Sequence, residues 1–285
     1  RRRIAPGEST STMAAQAAAR ALLDAGMDRK ELDLIVVCTA TPDQPIPATA
    51  CNVQAHLGLA GVPAFDIGAA CSGFMYGTTV AANMVQAGLY RNILVIGAET
   101  LTQVTDYEDR TTCVLFGDAA GAAILARSED PRQGLLYASL GADGTRIQDI
   151  WAPAGGSALP ASANTVAERL HYLRMRGREV YKFAVVKMMD LIDGALKATG
   201  LTADQLKMVI PHQSNLRIIE SVREKMNLPV EKIAINIDRY GNTSAASIIV
   251  ALDEARQQGQ VRKGDLIMML GLGAGLTWGV SIWRL

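Results

Sequence analysis

Apolar positions along the chain predict an alternation of buried strands and amphipathic helices. Short aliphatic runs predict strands at residues 34–39, 64–67, 93–97 and 119–125. A helical pattern at 11–26 precedes these strands, and two more at 48–57 and 72–88 lie between them. Strands that are apolar throughout are typical of parallel sheets with helices on both faces. The pattern therefore predicts an α/β fold.

An internal repeat relates two parts of the chain. A helix, a glycine and a strand at residues 21–36 recur at residues 195–210, and the strand ILVIG corresponds to a later LIMMLG. Any two α/β units share part of this pattern, but the order of several matching elements favours duplication. We predict two similar halves, 1–144 and 145–285, joined at the weakly patterned stretch 145–163.

One uncharged run, residues 266–283, is long enough to suggest a membrane-spanning helix. Four glycines crowd the run, so two buried strands joined by a tight glycine turn are the better interpretation. No apolar stretch follows the basic opening residues, which argues against a secretory signal. We therefore predict no membrane segment.

Composition narrows the class of protein. The 28 Lys and Arg residues balance 28 Asp and Glu residues, which argues against a nucleic-acid-binding protein. Hydrophobic residues make up 49% of the chain, enough for a sizeable core. The four cysteines are too few for a disulfide framework, and their apolar neighbours predict buried, reduced thiols in a cytoplasmic protein.

Cys71 is a candidate nucleophile. It follows a predicted strand and a turn of small residues, at the predicted start of a helix. Backbone N–H groups and the helix dipole stabilise a thiolate there, which predicts a thiol pKa lowered toward neutrality. A buried structural cysteine is the alternative for Cys71, and it is our interpretation of Cys38, Cys51 and Cys113.

His212 and Asn242 are candidate partners of this cysteine. His212 follows a predicted strand, where α/β folds bind ligands, although a structural imidazole fits the same pattern. Asn242 lies in a glycine turn that the repeat places opposite Cys71, and turn formation or helix capping is the alternative. The three residues can supply a nucleophile and two hydrogen-bond donors. No Cys and His pair has metal-ligand spacing, which predicts no metal site.

Three motifs in this order resemble a known family. AACSGF, PHQSNLRII and GNTSAAS, followed by GAGLTWG, are similar to β-ketoacyl-[acyl-carrier-protein] synthase III, the initiating condensing enzyme of bacterial fatty-acid synthesis. The similarity runs from about residue 3 to residue 285. It implies the thiolase fold, a duplicated α-β-α-β-α five-layered sandwich, which agrees with the internal repeat.

The resemblance implies a reaction and its principal residues. Cys71 would take an acyl group from acyl-CoA. His212 and Asn242 would stabilise the enolate formed when malonyl-acyl carrier protein loses CO₂, and condensation would give a 3-oxoacyl-acyl carrier protein. The backbone N–H groups of Cys71 and Ala274 would form an oxyanion hole. No cofactor is implied, since acyl-CoA and the carrier protein are substrates.

Four further residues are implied to bind substrate. Arg110 matches a family residue that contacts the CoA adenine, and Asn215 lies in the substrate-tunnel motif. Ile46 is at the position where the partner subunit of a homodimer closes the acyl pocket, and a side chain smaller than Phe there would admit longer or branched acyl groups. Gly273 belongs to the family's glycine triplet, which reads Gly-Ala-Gly here and adds one methyl group.

Three basic residues are implied or suggested to dock the acidic carrier protein. Arg217 matches a family docking residue, and Arg223 and Lys225 on the following helix would extend a basic patch. The alternative for the last two is a solvated helix face, because Glu220 and Glu224 lie on the same helix.

The family's opening strand has no counterpart in the sequence, nor do the aromatic residue and the arginine that sandwich the CoA adenine. Either the sequence is truncated or another element replaces that strand. Other functions remain as alternatives. An enzyme that primes polyketide or quinolone synthesis would carry the same three residues, and a Cys-His-Asn hydrolase would use the histidine as a base. A catalytically dead scaffold is opposed by the retention of all three residues.

Overall fold

Two four-stranded sheets form the framework of the computed structural model, which describes residues 2–285. The elements that build the first sheet and its helices are α1 (Thr10–Ala25), β1 (Leu34–Cys38), α2 (Thr49–His56), β2 (Ala64–Ile67), α3 (Gly73–Gln86), β3 (Asn92–Thr100) and β4 (Asp118–Ala126). The elements that follow are β5 (Gly134–Ala142), β6 (Ile150–Trp151), α4 (Ala163–Ala167), β7 (Arg174–Met175), α5 (Gly177–Thr199), β8 (Met208–Pro211), α6 (Leu216–Lys225), α7 (Ile237–Tyr240), α8 (Ala246–Gln257), β9 (Leu266–Gly273) and β10 (Thr277–Arg284).

The two sheets share a series of three strands. The first has the order β2-β1-β3-β4, with β1 parallel to β2 and β3 and with β4 antiparallel to β3. The second has the order β5-β10-β9-β8, with β8 parallel to β9 and with β10 antiparallel to both neighbours. The series β1, β3, β4 thus corresponds to β8, β9, β10, as the repeat in the sequence suggests.

Strand β5 pairs with β10 in the second sheet, although the predicted boundary at residue 144 assigns it to the first half. Nearly all of its positions are half-buried, so its residues do not indicate which sheet it joins. The second sheet therefore begins before the predicted boundary, and the division of the chain into halves stays a prediction.

Helices and sheets stack in five layers. Leu34 and Val36 of β1 pack in a central cluster with α3, α8 and the second sheet, whereas Ile35 and Val37 pack in an outer cluster with α1 and α2. A third cluster joins α5 and α6 to the other face of the second sheet. Because both faces of β1 are covered, all five of its residues are buried, which explains its continuous apolar run.

Local signals set the ends of the predicted elements. Helix α1 begins after Ser9, which forms a capping box with Thr12, and it ends at Gly26, whose φ of 61° is left-handed. The uncharged run at 266–283 forms β9 and β10, as predicted. Within residues 2–285, no helix has both the length and the apolarity needed to span a membrane.

All four cysteines are free thiols, but the prediction that all are buried is wrong for three of them. Cys38 is buried in β1, whereas Cys51, Cys71 and Cys113 lie in helices or turns and keep partial exposure.

Candidate active site

Cys71 lies in a single turn of 3₁₀-helix, Ala70–Ser72, between β2 and α3. Ala70 has a left-handed φ of 46°, which turns the chain sharply before the cysteine. The Ser72 hydroxyl donates to the carbonyl of Ala69 at 2.8 Å and is 2.7 Å from the Thr277 hydroxyl, so β10 holds the turn in place. The predicted position of Cys71, after a strand and at the start of a helix, is confirmed.

Gly273, the last residue of β9, packs directly against this turn. A Cβ at Gly273 would lie 2.8 Å from the backbone nitrogen of Cys71 and 2.8 Å from the carbonyl oxygen of Ala69. Only glycine fits this approach without moving backbone atoms. Ala274 follows at once, so its peptide is held beside the Cys71 turn.

His212 follows β8 and is 1% exposed. Its Nδ1 lies 2.6 Å from the Ser247 hydroxyl, which accepts a hydrogen bond from the backbone N–H of Gln213. Ser247 is itself buried, so its hydroxyl hydrogen needs an acceptor, and Nδ1 is at hand. We therefore assign the ring proton to Nε2, which leaves a donor N–H. Burial lowers the pKa of His212 to about 3, so the ring is neutral at pH 7.

Backbone hydrogen bonds to the segment just before β4 hold Asn242 in position. Its backbone N–H donates to the carbonyl of Leu115, and its carbonyl accepts from Gly117. The side-chain oxygen accepts from the backbone N–H of Ser244 at 2.9 Å. The amide nitrogen of Asn242 is consequently left as a hydrogen-bond donor.

One short segment, residues 242–247, connects the three predicted residues. Asn242 opens the segment, Ser244 interacts with the Cys71 thiol and lowers its pKa, and the Ser247 hydroxyl lies 2.6 Å from His212 Nδ1. The repeat predicts Asn242 opposite Cys71, but nothing in the sequence pattern predicts the contacts of Ser244 and Ser247. Their signal was only a small-residue run at a helix start.

The structure reverses one prediction about Cys71. Although the residue as a whole is partly exposed, the protein atoms around its sulfur desolvate the thiol and raise its pKa to about 12. The negative charge of Glu99 adds to the rise, whereas the interaction with Ser244 opposes it. The expectation of a pKa lowered toward neutrality is wrong because desolvation outweighs the stabilisation available at the start of α3. The thiol is therefore protonated at pH 7.

Comparison with known proteins places this geometry in a family. Residues 65–144 match the sequence profile of 3-oxoacyl-[acyl-carrier-protein] synthase III, and residues 196–285 match that of its C-terminal region. The β-ketoacyl-[acyl-carrier-protein] synthase III of Caldanaerobacter subterraneus subsp. tengcongensis is 51% identical over 282 residues, which cover 99% of this chain and 85% of that protein. The chain belongs to the β-ketoacyl-[acyl-carrier-protein] synthase III family. It is an acyltransferase, a condensing enzyme of fatty-acid initiation.

Solved structures of relatives share the fold. The 3-oxoacyl-[acyl-carrier-protein] synthase III of Aquifex aeolicus is 46% identical with a TM-score of 0.91, over 100% of this chain and 87% of that one. The priming β-ketosynthase of the R1128 polyketide pathway is 34% identical with a TM-score of 0.90, over 100% of this chain and 84% of that one. The predicted thiolase fold is confirmed.

The residues implied to bind substrate are spread over separate loops. Arg110 is exposed in the turn region that precedes β4, and Asn215 is the partly exposed residue that caps α6, where its side chain accepts from the Arg217 N–H at 2.9 Å. Ile46 is 86% exposed in the loop before α2. Their roles stay predictions.

The proposed docking residues lie along α6. Arg217 and Lys225 are exposed at its two ends. Arg223 is instead paired with Glu220 at 2.7 Å and also donates to the carbonyl of Leu228. Its charge is thus largely offset within the helix, as the alternative interpretation of this face anticipated.

Two other features do not join the site. A cavity of about 1310 Å³ lies between α1, β4 and α8, and none of Cys71, His212 and Asn242 lines it. Over residues 2–285, no cluster of three or more Cys, His, Asp or Glu side chains is arranged to hold a metal ion.

Proposed function

We propose that the enzyme joins an acyl-CoA primer to malonyl-acyl carrier protein by decarboxylative Claisen condensation. The observation that carries the proposal is a cysteine linked through one segment to two neutral hydrogen-bond donors, His212 and Asn242. Neutral donors stabilise an enolate oxygen without protonating it.

The reaction proceeds in two stages. The Cys71 sulfur attacks the primer thioester and bonds to the acyl carbon, the bond from that carbon to the CoA sulfur breaks, and the Cys71 proton leaves with the CoA thiol. The malonyl thioester then places its carbonyl oxygen against His212 Nε2 and Asn242 Nδ2, its carboxylate leaves as CO₂, and the resulting enolate carbon attacks the acyl group. The Cys71 sulfur leaves as a thiolate and takes a proton from solvent, and a 3-oxoacyl-acyl carrier protein is formed. The backbone N–H groups of Cys71 and Ala274 receive the oxyanion at each acyl transfer.

The remaining predicted residues bind the two substrates. Arg110 contacts the CoA adenine and Asn215 lines the tunnel, while Gly273 gives the acyl thioester room beside the Cys71 turn. Arg217 docks the acidic carrier protein, and Lys225 adds to its field. Arg223 adds less, because Glu220 pairs with it.

We further propose that the enzyme acts as a homodimer in the cytoplasm. The exposed Ile46 supports the dimer, since a partner's acyl pocket would cover an apolar side chain that otherwise faces water. Four free thiols support a reducing compartment. The chemistry transfers no electrons between redox centres, so it needs no cofactor beyond its substrates.

Intact-mass measurement after incubation with acetyl-CoA and longer acyl-CoAs tests the first stage. The wild-type chain should gain one acyl group and Cys71→Ala none. Adding malonyl-acyl carrier protein should then release CO₂ and remove the adduct in wild type, but not in His212→Ala or Asn242→Ala.

The same assay separates the alternative functions. A hydrolase would release free acid from the primer without condensation, which the neutral His212 argues against because it is a poor base. The similarity to a priming polyketide synthase makes a polyketide carrier protein the second candidate acceptor. Faster condensation with such a carrier than with a fatty-acid carrier would favour it.

A further inference from the structure

Two backbone N–H groups beside the nucleophile have no acceptor in the protein. Neither the Cys71 N–H nor the Ala274 N–H donates to an oxygen atom of residues 2–285. Both can therefore donate to an oxygen of the substrate. They are the donors that the proposed function assigns to the oxyanion hole. A hole of this kind stabilises charge only when both donors point to the place where the oxyanion forms.

Two hydroxyl groups link the backbone segments that carry these donors. Thr277 Oγ1 lies 2.7 Å from Ser72 Oγ and 3.0 Å from the carbonyl oxygen of Ala69, both in the Cys71 turn. It also lies 3.1 Å from the carbonyl oxygen of Ala274, in the connection between β9 and β10. Across the described chain, no other hydrogen bond joins this turn to that connection.

The two hydroxyl groups act as a pair. Ser72 is 0% exposed, and its Oγ is also 2.8 Å from the carbonyl oxygen of Ala69. Since the hydroxyls are 2.7 Å apart, one donates its hydrogen to the other. The remaining hydrogen then goes to a carbonyl oxygen, that of Ala69 or of Ala274. In either direction, Ser72 and Thr277 form one hydrogen-bonded bridge between side chains and backbone.

Packing at Gly273 permits the close approach of the two segments but does not fix their spacing. A Cβ at this position would lie 2.8 Å from the Cys71 nitrogen, so only glycine allows the contact. A missing side chain removes a clash and supplies no attraction. The directional contacts between the segments come from the hydroxyl pair.

We propose that the hydroxyl groups of Ser72 and Thr277 set the spacing of the two oxyanion-hole donors. The proposal rests on the proposed function, in which both donors receive the thioester oxygen at each acyl transfer. As the Cys71 sulfur bonds to the acyl carbon, negative charge moves onto that oxygen, and donors that are already in place stabilise it without reorganising. The hydroxyls act through the backbone and take part in no bond that forms or breaks, so both are positioning groups.

The test compares two reactions of the same thiol. Acylation by acetyl-CoA develops an oxyanion, whereas alkylation by iodoacetamide takes place at a saturated carbon and needs no oxyanion hole. Thr277→Val replaces the hydroxyl by a methyl group of similar size. It should slow acylation at saturating acetyl-CoA by about tenfold or more, because a shift of a fraction of an ångström misaligns the donors. KM and the rate of Cys71 alkylation should change little. Both adducts are followed by intact mass after rapid quenching.

Three further variants separate the hydroxyl from the rest of the side chain. Thr277→Ser keeps the hydroxyl and should acylate at the wild-type rate. Ser72→Ala should lose less activity than Thr277→Val, because Thr277 keeps both carbonyl contacts, and it replaces Thr277→Val in the test if that variant fails to fold. Thr78→Val is the matched control, since it removes a hydroxyl that is 2% exposed and bonds only to carbonyl groups of α3. Both reactions of Thr78→Val should run at the wild-type rate.

Three results overturn the proposal. The first is acylation of Thr277→Val at the wild-type rate, and the second is a Thr277→Ser protein that is as slow as Thr277→Val. The third is an equal loss of acylation and alkylation, because a displaced turn would then limit the sulfur whatever the spacing of the donors. Failure of the proposed function is a separate result, since it appears without any substitution, as a wild-type protein that is alkylated but takes no acyl group.

Discussion

Replacing Gly273 by alanine should disable the nucleophile, although Cys71, His212 and Asn242 are all unchanged. The new Cβ would lie 2.8 Å from the Cys71 nitrogen and 2.9 Å from the Ser72 nitrogen, where ordinary contacts begin at 3.4 Å. The backbone of the Cys71 turn must therefore retreat by about 0.6 Å, because no flexible side chain can give way instead. Overpacking of this kind costs about 1–3 kcal/mol of folding free energy.

The larger effect of Gly273→Ala should fall on reactivity. Misplacement of a reacting group by about 1 Å costs about 10²-fold in rate, so a retreat of this size should slow Cys71 acylation by roughly tenfold or more. Acyl-enzyme formation is followed by intact mass after rapid quenching, and unfolding is followed by thermal denaturation.

Gly194→Ala is the matched control, because a Cβ there meets no atom within 4 Å in the middle of α5. It should acylate normally and gain about 0.5–1 kcal/mol of stability from its helix position. A Gly273→Ala protein that acylates at the wild-type rate would refute the close packing of β9 against the Cys71 turn.

Three further results are expected. Ser247→Ala removes the hydrogen bond to His212 Nδ1, so CO₂ release from the malonyl thioester should fall by about five- to tenfold with acylation intact; equal loss of both would contradict the assignment of the His212 proton. His212 has a pKa of about 3 when folded and near 6.5 when unfolded, so the unfolded chain binds the extra proton between these values and its contribution to stability is lost as pH falls. Below pH 6.5 the free energy of unfolding, measured with denaturant from pH 7 to 5, should fall by about 1.4 kcal/mol per pH unit more in wild type than in His212→Gln. Equal pH dependence in the two proteins would show that His212 is not the cause. Arg217→Glu should raise KM for the carrier-protein substrate without slowing acylation, whereas Arg223→Gln, already paired with Glu220, should change KM little; equal rises would argue for a diffuse basic patch.

The layers of the fold were predictable because buried positions are apolar and recur along the sequence with the period of the strand or helix that they belong to. Strand β1 is apolar throughout since both faces are covered, and Gly26 ends α1 because only a left-handed residue closes that turn. Strand β5 was harder to place, because half-buried positions on an edge strand do not reveal which sheet the strand joins.

Only the site residues that lie in recognisable sequence motifs could be predicted. Cys71 and His212 stand at ends of elements, where α/β folds bring chemistry together. The roles of Ser244 and Ser247 depend on contacts across the fold, which no local pattern records. The raised pKa of Cys71 likewise follows from desolvation by residues that are distant in the sequence. Glu99 adds to that rise, and the sequence does show it as a lone acid after the apolar run ILVIGA.

The backbone hydrogen bonds of Asn242 to Leu115 and Gly117 join parts of the chain that are synthesised at different times. Cys71 leaves the ribosome long before residues 242–247, so the nascent chain carries the cysteine without the donors, the serine contact or the Gly273 support described above. Acylation competence therefore arrives only when the second sheet has docked on the first. A partly made chain cannot consume primer, and catalytic activity reports complete folding.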